Sequence, residues 1–366
     1  MKLVVFGLSV SSSWGNGHAV LWRALIRALT AQDHRVVFFE RDVPWYAHHR
    51  DLTEIDGGRL VLYDDWRTVN PEARRELADA EAAIVTSYCP DGIAATELVL
   101  DAPGLHVFYD LDTPVTLARL DAGEALESIG PRGLVPFDLV LSYTGGEALT
   151  ALTERLGARR VAPLYGSVDT ERYAPAALAT ETRAALSYLG TYAADRQDKV
   201  DSFFLEPARQ WPLIRFVIGG AQYPPDFPWA DNIFYWRHVA SAEHPRFYAA
   251  ARATLNVTRA SMAESGWCPS GRLFEAAACA VPVLSDWWDG LDEFFVPEHE
   301  ILIVRTTQDV LMALDSSDRE FARIGEAARA RALADHTAER RAGELVALLS
   351  DPAAASGRWE TVGTEA

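Results

Sequence analysis

"WCPSGRLFEAAACAVPVLSDWWDG" (Trp267–Gly290) is the stretch on which the reading of the whole chain turns. Helical spacing begins near Ser270, and the short apolar run from Val281 to Ser285 reads as a strand buried on both faces. Between them sits Glu275, flanked by Phe274 and by Ala276, Ala277 and Ala278. A buried carboxylate without a partner costs several kcal/mol or takes up a proton. Two arrangements offset that cost. Glu275 pairs with Arg272, three residues earlier on the same helix face, or it points into a ligand site and accepts bonds from a vicinal diol such as a ribose. A hydrogen bond to a charged group contributes about 1.5–3 kcal/mol. The alanines let the helix pack closely on the neighbouring strand.

Outward from this stretch the pairing of strand and helix recurs. Toward the N-terminus "LVVFGL" (Leu3–Leu8), "RVVFFE" (Arg35–Glu40), "RLVLY" (Arg59–Tyr63), "AAIVTS" (Ala82–Ser87), "LHVFYD" (Leu105–Asp110) and "FDLVLSY" (Phe137–Tyr143) read as strands. Helical patterns lie between most of them, the clearest being His18–Ala31. After "YGSVDTERYAPAALATETR" (Tyr165–Arg183) the pattern restarts with "LSYLG" (Leu186–Gly190), "IRFVIGG" (Ile214–Gly220), "NIFYW" (Asn232–Trp236), "ATLNV" (Ala253–Val257), "VPVLS" and "EILIV" (Glu300–Val304). Near-continuous apolar strands alternating with helices predict parallel sheets covered on both faces. The expected fold is α/β: two Rossmann-like, doubly wound parallel-sheet domains whose strand carboxyl ends face a central cleft. The expected boundaries are residues 1–165 for the first domain, 166–184 for a linker and 185–335 for the second. One long helical stretch runs from Asp318 to Leu349, its last part (336–350) forming a final helix, and the tail over 351–366 is expected to be mobile.

Composition agrees with two cores. The chain has 366 residues, enough for about two domains at roughly 150 residues each, and 49% of them are hydrophobic. No apolar run approaches the ~20 residues of a membrane span. "MKLVVFGLSV" has one positive charge and soon meets Trp14, Gly15 and His18, so it reads as a first strand rather than a targeting segment. Cys89, Cys268 and Cys279 show no C-x-x-C spacing, which argues against a zinc knuckle or a disulfide framework and fits a reducing cytoplasm. The net charge of −18 argues against a surface that coats nucleic acid, though it leaves room for a local basic pocket.

Doubly wound sheets bind ligands beyond their strand carboxyl ends, so the loops there carry the candidate site. "SVSSSWGNGHA" places Gly15 and Gly17 before a helix, where glycines let a ligand approach the backbone and free N–H groups meet an anion. His18 opens that helix; a plain flexible loop is the alternative. Glu40, ending the second strand, also suits a dinucleotide ribose, but Val20 stands where a third glycine belongs. "SYCPDG" carries Tyr88, and "YDLDTP" carries Asp110 and Asp112. Asp112 is placed to cap the next helix, whereas Asp110 has no evident capping role. In the second half Gly190 follows a strand, then Arg196 and Lys199 a helical turn apart; they clamp a diphosphate or form a solvated face with Asp195 and Asp198. Gly220 ends another strand. No cluster of metal-ligand residues is evident.

Five segments now stand in a recognisable order: "LYGSVDTERYAP" (Leu164–Pro175), "YLGTYAADRQDK" (Tyr188–Lys199), "FVIGG", "HPRFYAAARATLNVTRA" (His244–Ala260) and "SGRLFEAAACAVPVLSDWWDGLDEFF" (Ser270–Phe295). Together they resemble the family-four retaining glycosyltransferases of GT-B fold over nearly the whole second domain, and the last is closest to the form of the CgeB-like branch. In the first domain the resemblance rests mainly on the glycine loop. It implies a cytoplasmic, bacterial, metal-independent and retaining transferase without cofactor. The enzyme would move a sugar from a nucleotide diphosphate sugar, such as a UDP- or GDP-sugar, to an unidentified acceptor. It further implies that Glu275 holds the donor ribose, that Arg196 and Lys199 neutralise the diphosphate, and that Gly190, Gly220 and Arg272 complete the donor side. Gly15 and Gly17 would lie beneath the sugar or phosphate. His18 and Asp110 would be catalytic, Asp112 and Tyr88 would lie on the acceptor side, and the last helix would cross back to the first domain. Two departures stand out. The family carries another glutamate about eight residues before the ribose-binding one; here that position is Trp267, with Glu264 the nearest acid. Ala280 stands where glycine is usual. A nucleotide-sugar epimerase on the same fold and a non-catalytic nucleotide-sugar-binding protein are the alternatives.

Overall fold

The computed structural model describes residues 1–176 and 183–351. The chain divides into two compact units, Gly166–Ala338 and a unit made of Met1–Tyr165 with the chain from Glu339 onward. The expected linker lies in part, and the expected mobile tail almost wholly, outside the described residues.

The first unit holds a seven-stranded sheet in the order β3-β2-β1-β4-β5-β6-β7. Its strands are β1 (Lys2–Gly7), β2 (Arg35–Arg41), β3 (Arg59–Tyr63), β4 (Ala82–Thr86), β5 (Leu105–Asp110), β6 (Leu139–Ser142) and β7 (Val161–Pro163). Every pairing is parallel. Val4, Phe6, Val37, Phe39, Ala83, Val85, Phe108 and Val140 join one core. Trp22, from the helix Gly17–Ala31, packs edge-on against Phe38 and Tyr109. Both faces are therefore covered, which is why the strands read as unbroken apolar runs. Strand β7 was not expected from the sequence: it is three residues long and only partly buried, so it carries no periodic signal.

The second unit holds β8 (Ala184–Leu189), β9 (Phe216–Gly220), β10 (Ile233–Arg237), β11 (Ala251–Asn256), β12 (Val283–Ser285) and β13 (Leu302–Ile303). Their order, β10-β9-β8-β11-β12-β13, is the doubly wound one, with the reversal between β8 and β11. In the first unit the reversal lies between β1 and β4.

The single helical stretch expected from Asp318 to Leu349 is two helices, Asp318–Asp335 and Ala338–Ser350. Val168 and Thr337 form a bridge between them, with Val168 N donating to His336 O and Ala338 N donating to Val168 O. The His336 ring lies 4.6 Å from Phe274, and its Nε2 bonds Phe294 O at 3.1 Å. Those tertiary bonds replace the helical ones.

The helix Gly271–Ala278 ends in a Schellman turn: Val281 N donates to Ala276 O and Ala280 N to Ala277 O. Ala280 adopts φ 56°, the left-handed conformation that glycine takes at this position without a Cβ penalty. Ala280→Gly is expected to raise stability by up to about 1 kcal/mol, the relieved strain being partly offset by the freer unfolded chain. Urea unfolding midpoints of the two proteins check it.

Candidate functional site

Glu275 is 8% exposed, in the middle of its helix, beneath the helix His244–Ala249. The Arg272 pairing is not what satisfies it. Tyr248 donates its hydroxyl to Oε2 at 2.8 Å, and His244 Nδ1 lies 3.2 Å from the same oxygen. His244 Nε2 faces Val239 O at 3.3 Å, so each ring nitrogen has an oxygen acceptor beside it. The Tyr173 hydroxyl stands 3.2 Å from His244 Nδ1. Burial by itself would raise the Glu275 carboxyl. The charge of His244 and the bonds from His244, Tyr248 and Tyr173 outweigh it and hold the group below its ordinary value. Glu275 is thus a charged carboxylate in a core, with Oε1 outside the Tyr248 and His244 bonds.

Arg272 is left over by this arrangement: its Nη1 is buried and has no hydrogen-bond partner among the described residues. Arg196 is in a similar state. Its Nη1 donates to the Tyr188 hydroxyl at 3.2 Å, while its buried Nε has no partner among the described residues. Burial, then Tyr188, pushes the Tyr223 phenol well above its ordinary value, and the Arg196 and Arg272 charges only partly oppose that rise. Two arginines of this unit thus each keep a buried nitrogen without a hydrogen-bond partner among the described residues. Beside Arg196 a shallow recess is lined by Tyr188, Tyr192, Arg196 and Tyr223 among others.

The glycines shape this end of the sheet. Gly190 N donates to Gly219 O at 2.8 Å, and the Tyr223 hydroxyl donates to Gly190 O at 3.0 Å. Lys199 is placed differently from the arginines. Its Nζ bonds Asp286 Oδ2 at 2.6 Å, while Asp286 Oδ1 accepts from Thr258 N and Thr258 Oγ1 at 3.0 and 2.9 Å. The pairing of Arg196 and Lys199 with Asp195 and Asp198, weighed from sequence, does not form; Asp195 instead takes Arg259 Nε at 3.2 Å.

In the first unit the loop after β1 is fixed by Glu40. This fully buried carboxylate accepts from Ser9 Oγ, Val10 N, Ser11 N and Ser11 Oγ at 2.6–2.9 Å. Four bonds from the loop leave it no free role toward a ribose, which removes the acid a dinucleotide site requires. Asn16 caps the helix Gly17–Ala31, its Oδ1 accepting from His18 N at 3.1 Å. Gly15 has φ 60°, and an added Cβ at Gly15 or Gly17 would meet nothing within 4 Å. The space above both is open.

His18, Tyr88, Asp110 and Asp112 do come together. His18 Nε2 lies 3.3 Å from Asp112 Oδ2, and its ring centroid is 5.7 Å from that of Tyr88. Asp112 occupies the N-cap of the helix Thr113–Asp121, yet its side chain makes no capping bond. Asp110 holds the turn after its strand, its Oδ1 accepting from Asp112 N at 3.2 Å. The residue is fully buried, so it meets no ligand without a local opening, and Oδ2 has no partner among the described residues. Burial pushes its carboxyl from an ordinary 3.8 up to about 6, and the Asp112 charge adds to the rise. Between those values the folded state binds more protons than the unfolded one, so this group's effect on stability worsens as pH rises from about 4 to 6. Asp110→Asn is expected to remove that slope and to stabilise the protein at pH 7 by about 3 kcal/mol at most. Denaturant unfolding of both proteins from pH 4 to pH 7 reads it directly.

His244, Tyr248, Tyr173 and Tyr223 were not singled out from sequence. The only signal was "HPRFY" standing before a strand, since their partners lie up to 71 residues away. Among the described residues no group of three or more His, Cys, Asp or Glu side chains is placed to hold a metal ion, and no helix is long and apolar enough to cross a membrane.

Residues 196–347 match the family model described as "Glycosyl transferase-like". That span contains Arg196, Lys199, Gly220, Arg272 and Glu275. No curated protein matches the chain in sequence. Among solved structures, the chain is similar to a sucrose-phosphate synthase from Thermosynechococcus elongatus, with TM-score 0.70 and 15% identity over 97% of this chain and 100% of that one. HepE from Anabaena, solved in complex with UDP and glucose, gives TM-score 0.67 and 12% identity over 96% of this chain and 99% of that one. A T4 phage protein solved with UDP-glucose gives TM-score 0.59 and 11% identity over 96% and 100%. Two doubly wound parallel-sheet units, of seven and six strands, are thus the GT-B fold shared with solved glycosyltransferases.

Proposed function

We propose that this chain is a glycosyltransferase that takes a sugar from a nucleotide diphosphate donor, a UDP-sugar in the first instance, and passes it to an acceptor hydroxyl. One observation carries the reading. Arg196 and Arg272 each hold a buried nitrogen without a hydrogen-bond partner among the described residues, and a charged, buried Glu275 sits one helical turn from Arg272. An unpaired buried donor costs free energy, and an incoming diphosphate supplies the missing acceptors. The two arginines would then stabilise the charge that grows on the departing nucleotide diphosphate. Glu275 Oε1 would accept from the ribose hydroxyls while Tyr248 and His244 keep Oε2 in place. Lys199 stays on Asp286 and contributes at a distance. Gly15 and Gly17 leave room for the sugar or phosphate, and His18 with Asp112 and Tyr88 serves the acceptor. The structures solved with UDP, glucose and UDP-glucose support this choice of donor.

Metal independence, retention of configuration, a cytoplasmic setting, a bacterial source and membership of the CgeB-like branch of family four belong to the same proposal. Trp267 favours a second reading, a nucleotide-sugar-binding protein without turnover. It stands where the family's other glutamate is expected, held at φ 40° with its indole N–H on Glu293 Oε1 at 2.7 Å. Chromatography of UDP-glucose, UDP-N-acetylglucosamine and GDP-mannose after incubation with the protein separates the cases. Release of UDP or GDP supports the transferase, a new nucleotide sugar means an epimerase, and unchanged donors with measurable binding favour the non-catalytic protein.

A further inference from the structure

The first unit carries an aromatic stack that no proposed donor role uses. Trp14, just before Gly15, stacks on His49 with ring centroids 4.7 Å apart and planes 19° from parallel. Trp45 lies 5.0 Å from His49 with its plane tilted by 46°, in contact with the stacked pair but not stacked itself. Trp45 is 53% exposed, more than the other exposed tryptophans Trp229, Trp236 and Trp287.

The stack is held firmly. Ser12 Oγ donates to His49 O at 2.8 Å, and Asp51 N and Leu52 N both donate to Ser11 O at 3.1 Å. Ser13 N and Oγ donate to Asp51, which also takes Arg23 Nη2 at 2.6 Å. Arg50 bridges Ser11 Oγ and Asp42 Oδ1. His49 Nδ1 bonds Trp45 O at 2.8 Å. Two loops are thus bound together around the half-buried Trp14 and His49, with Trp45 open to solvent and Trp14 next in the chain to Gly15, whose own surroundings are open.

We propose that Trp45, His49 and Trp14 form a saccharide-stacking platform, and hence that the acceptor is a glycan rather than a peptide or an aglycone. The electron-rich face of an indole attracts the electropositive C–H face of a pyranose. A ring already fixed in place loses little rotamer entropy when the sugar arrives. The identity of the ligand as acceptor rests on the glycosyltransferase reading; the platform itself does not.

The test is a glycan array together with saturation-transfer NMR on maltose, cellobiose and chitobiose, comparing wild type with Trp45→Ala and His49→Ala. Trp45 is exposed, so its truncation leaves the fold intact, which a melting curve verifies. The expected result is binding of at least one glycan class by wild type, weakened tenfold or more in Trp45→Ala. Binding to no glycan, or equal binding by Trp45→Ala, overturns the proposal. UDP binding measured on the same samples separates this failure from failure of the donor reading.

Discussion

Gly220→Ala is expected to lower the melting temperature by on the order of 10 °C and to abolish nucleotide binding. Gly220 has φ 146°, a conformation that side chains other than glycine rarely take. A Cβ there would stand 2.0 Å from Gly190 O and 2.6 Å from Gly190 C. These are backbone atoms, so the ends of β8 and β9 have to separate. Backbone strain and overpacking each cost about 1–3 kcal/mol, and each kcal/mol lowers the melting temperature of a domain this size by roughly 2–4 °C. Displacing Gly190 also disturbs its bond from Tyr223, which lines one recess with Arg196. Calorimetry with a UDP titration checks both parts; an unchanged melting temperature would show that the strand ends do not approach so closely.

Glu275→Gln is expected to weaken UDP binding about 10- to 100-fold and to lower stability by about 1–3 kcal/mol at pH 7. The amide has the carboxylate's shape but not its charge, so the bonds to His244, Tyr248 and a ribose lose their ionic share. The sign of the pH effect follows from the depressed carboxyl. Glu275 contributes its full stabilisation above its ordinary value of 4.5, and that contribution is lost as pH falls through the lower folded-state value. Wild type should therefore lose part of its advantage over Glu275→Gln only on acidification below about pH 4.5. Isothermal titration and acid-range unfolding measure the two effects.

Much of this fold is written locally. Unbroken apolar runs such as "RLVLY" and "LHVFYD" gave strand bounds that match the observed Arg59–Tyr63 and Leu105–Asp110. Strands of a covered sheet are mostly apolar, and here the charged residues fall at their ends, as Arg59 and Asp110 do. What escaped the sequence depends on distant partners. Glu40 reads as a strand-end acid available to a ligand, yet four bonds from a serine-rich loop 29 to 31 residues away consume it. Asp112 has the spacing of a helix cap, but its side chain turns to His18. Lys199 has the spacing of a clamp partner for Arg196, but Asp286, 87 residues on, takes it. The question of Glu275 was legible as a question: its burial is plain from its neighbours. The His244 and Tyr248 that keep it charged come from another helix.

The most direct test of the donor reading is a thermal-shift titration with UDP and GDP on wild type and Glu275→Gln, both verified as folded. A ligand at ~100 times its dissociation constant adds about 2.7 kcal/mol of stability. The expected result is a clear shift with one nucleotide in wild type that falls to about half or less at the same concentration in Glu275→Gln, since binding weakened 10- to 100-fold leaves only about 1.4 to 0.4 kcal/mol. No shift with either nucleotide in wild type, or equal shifts in both proteins, would contradict the assignment of Glu275 to the donor ribose.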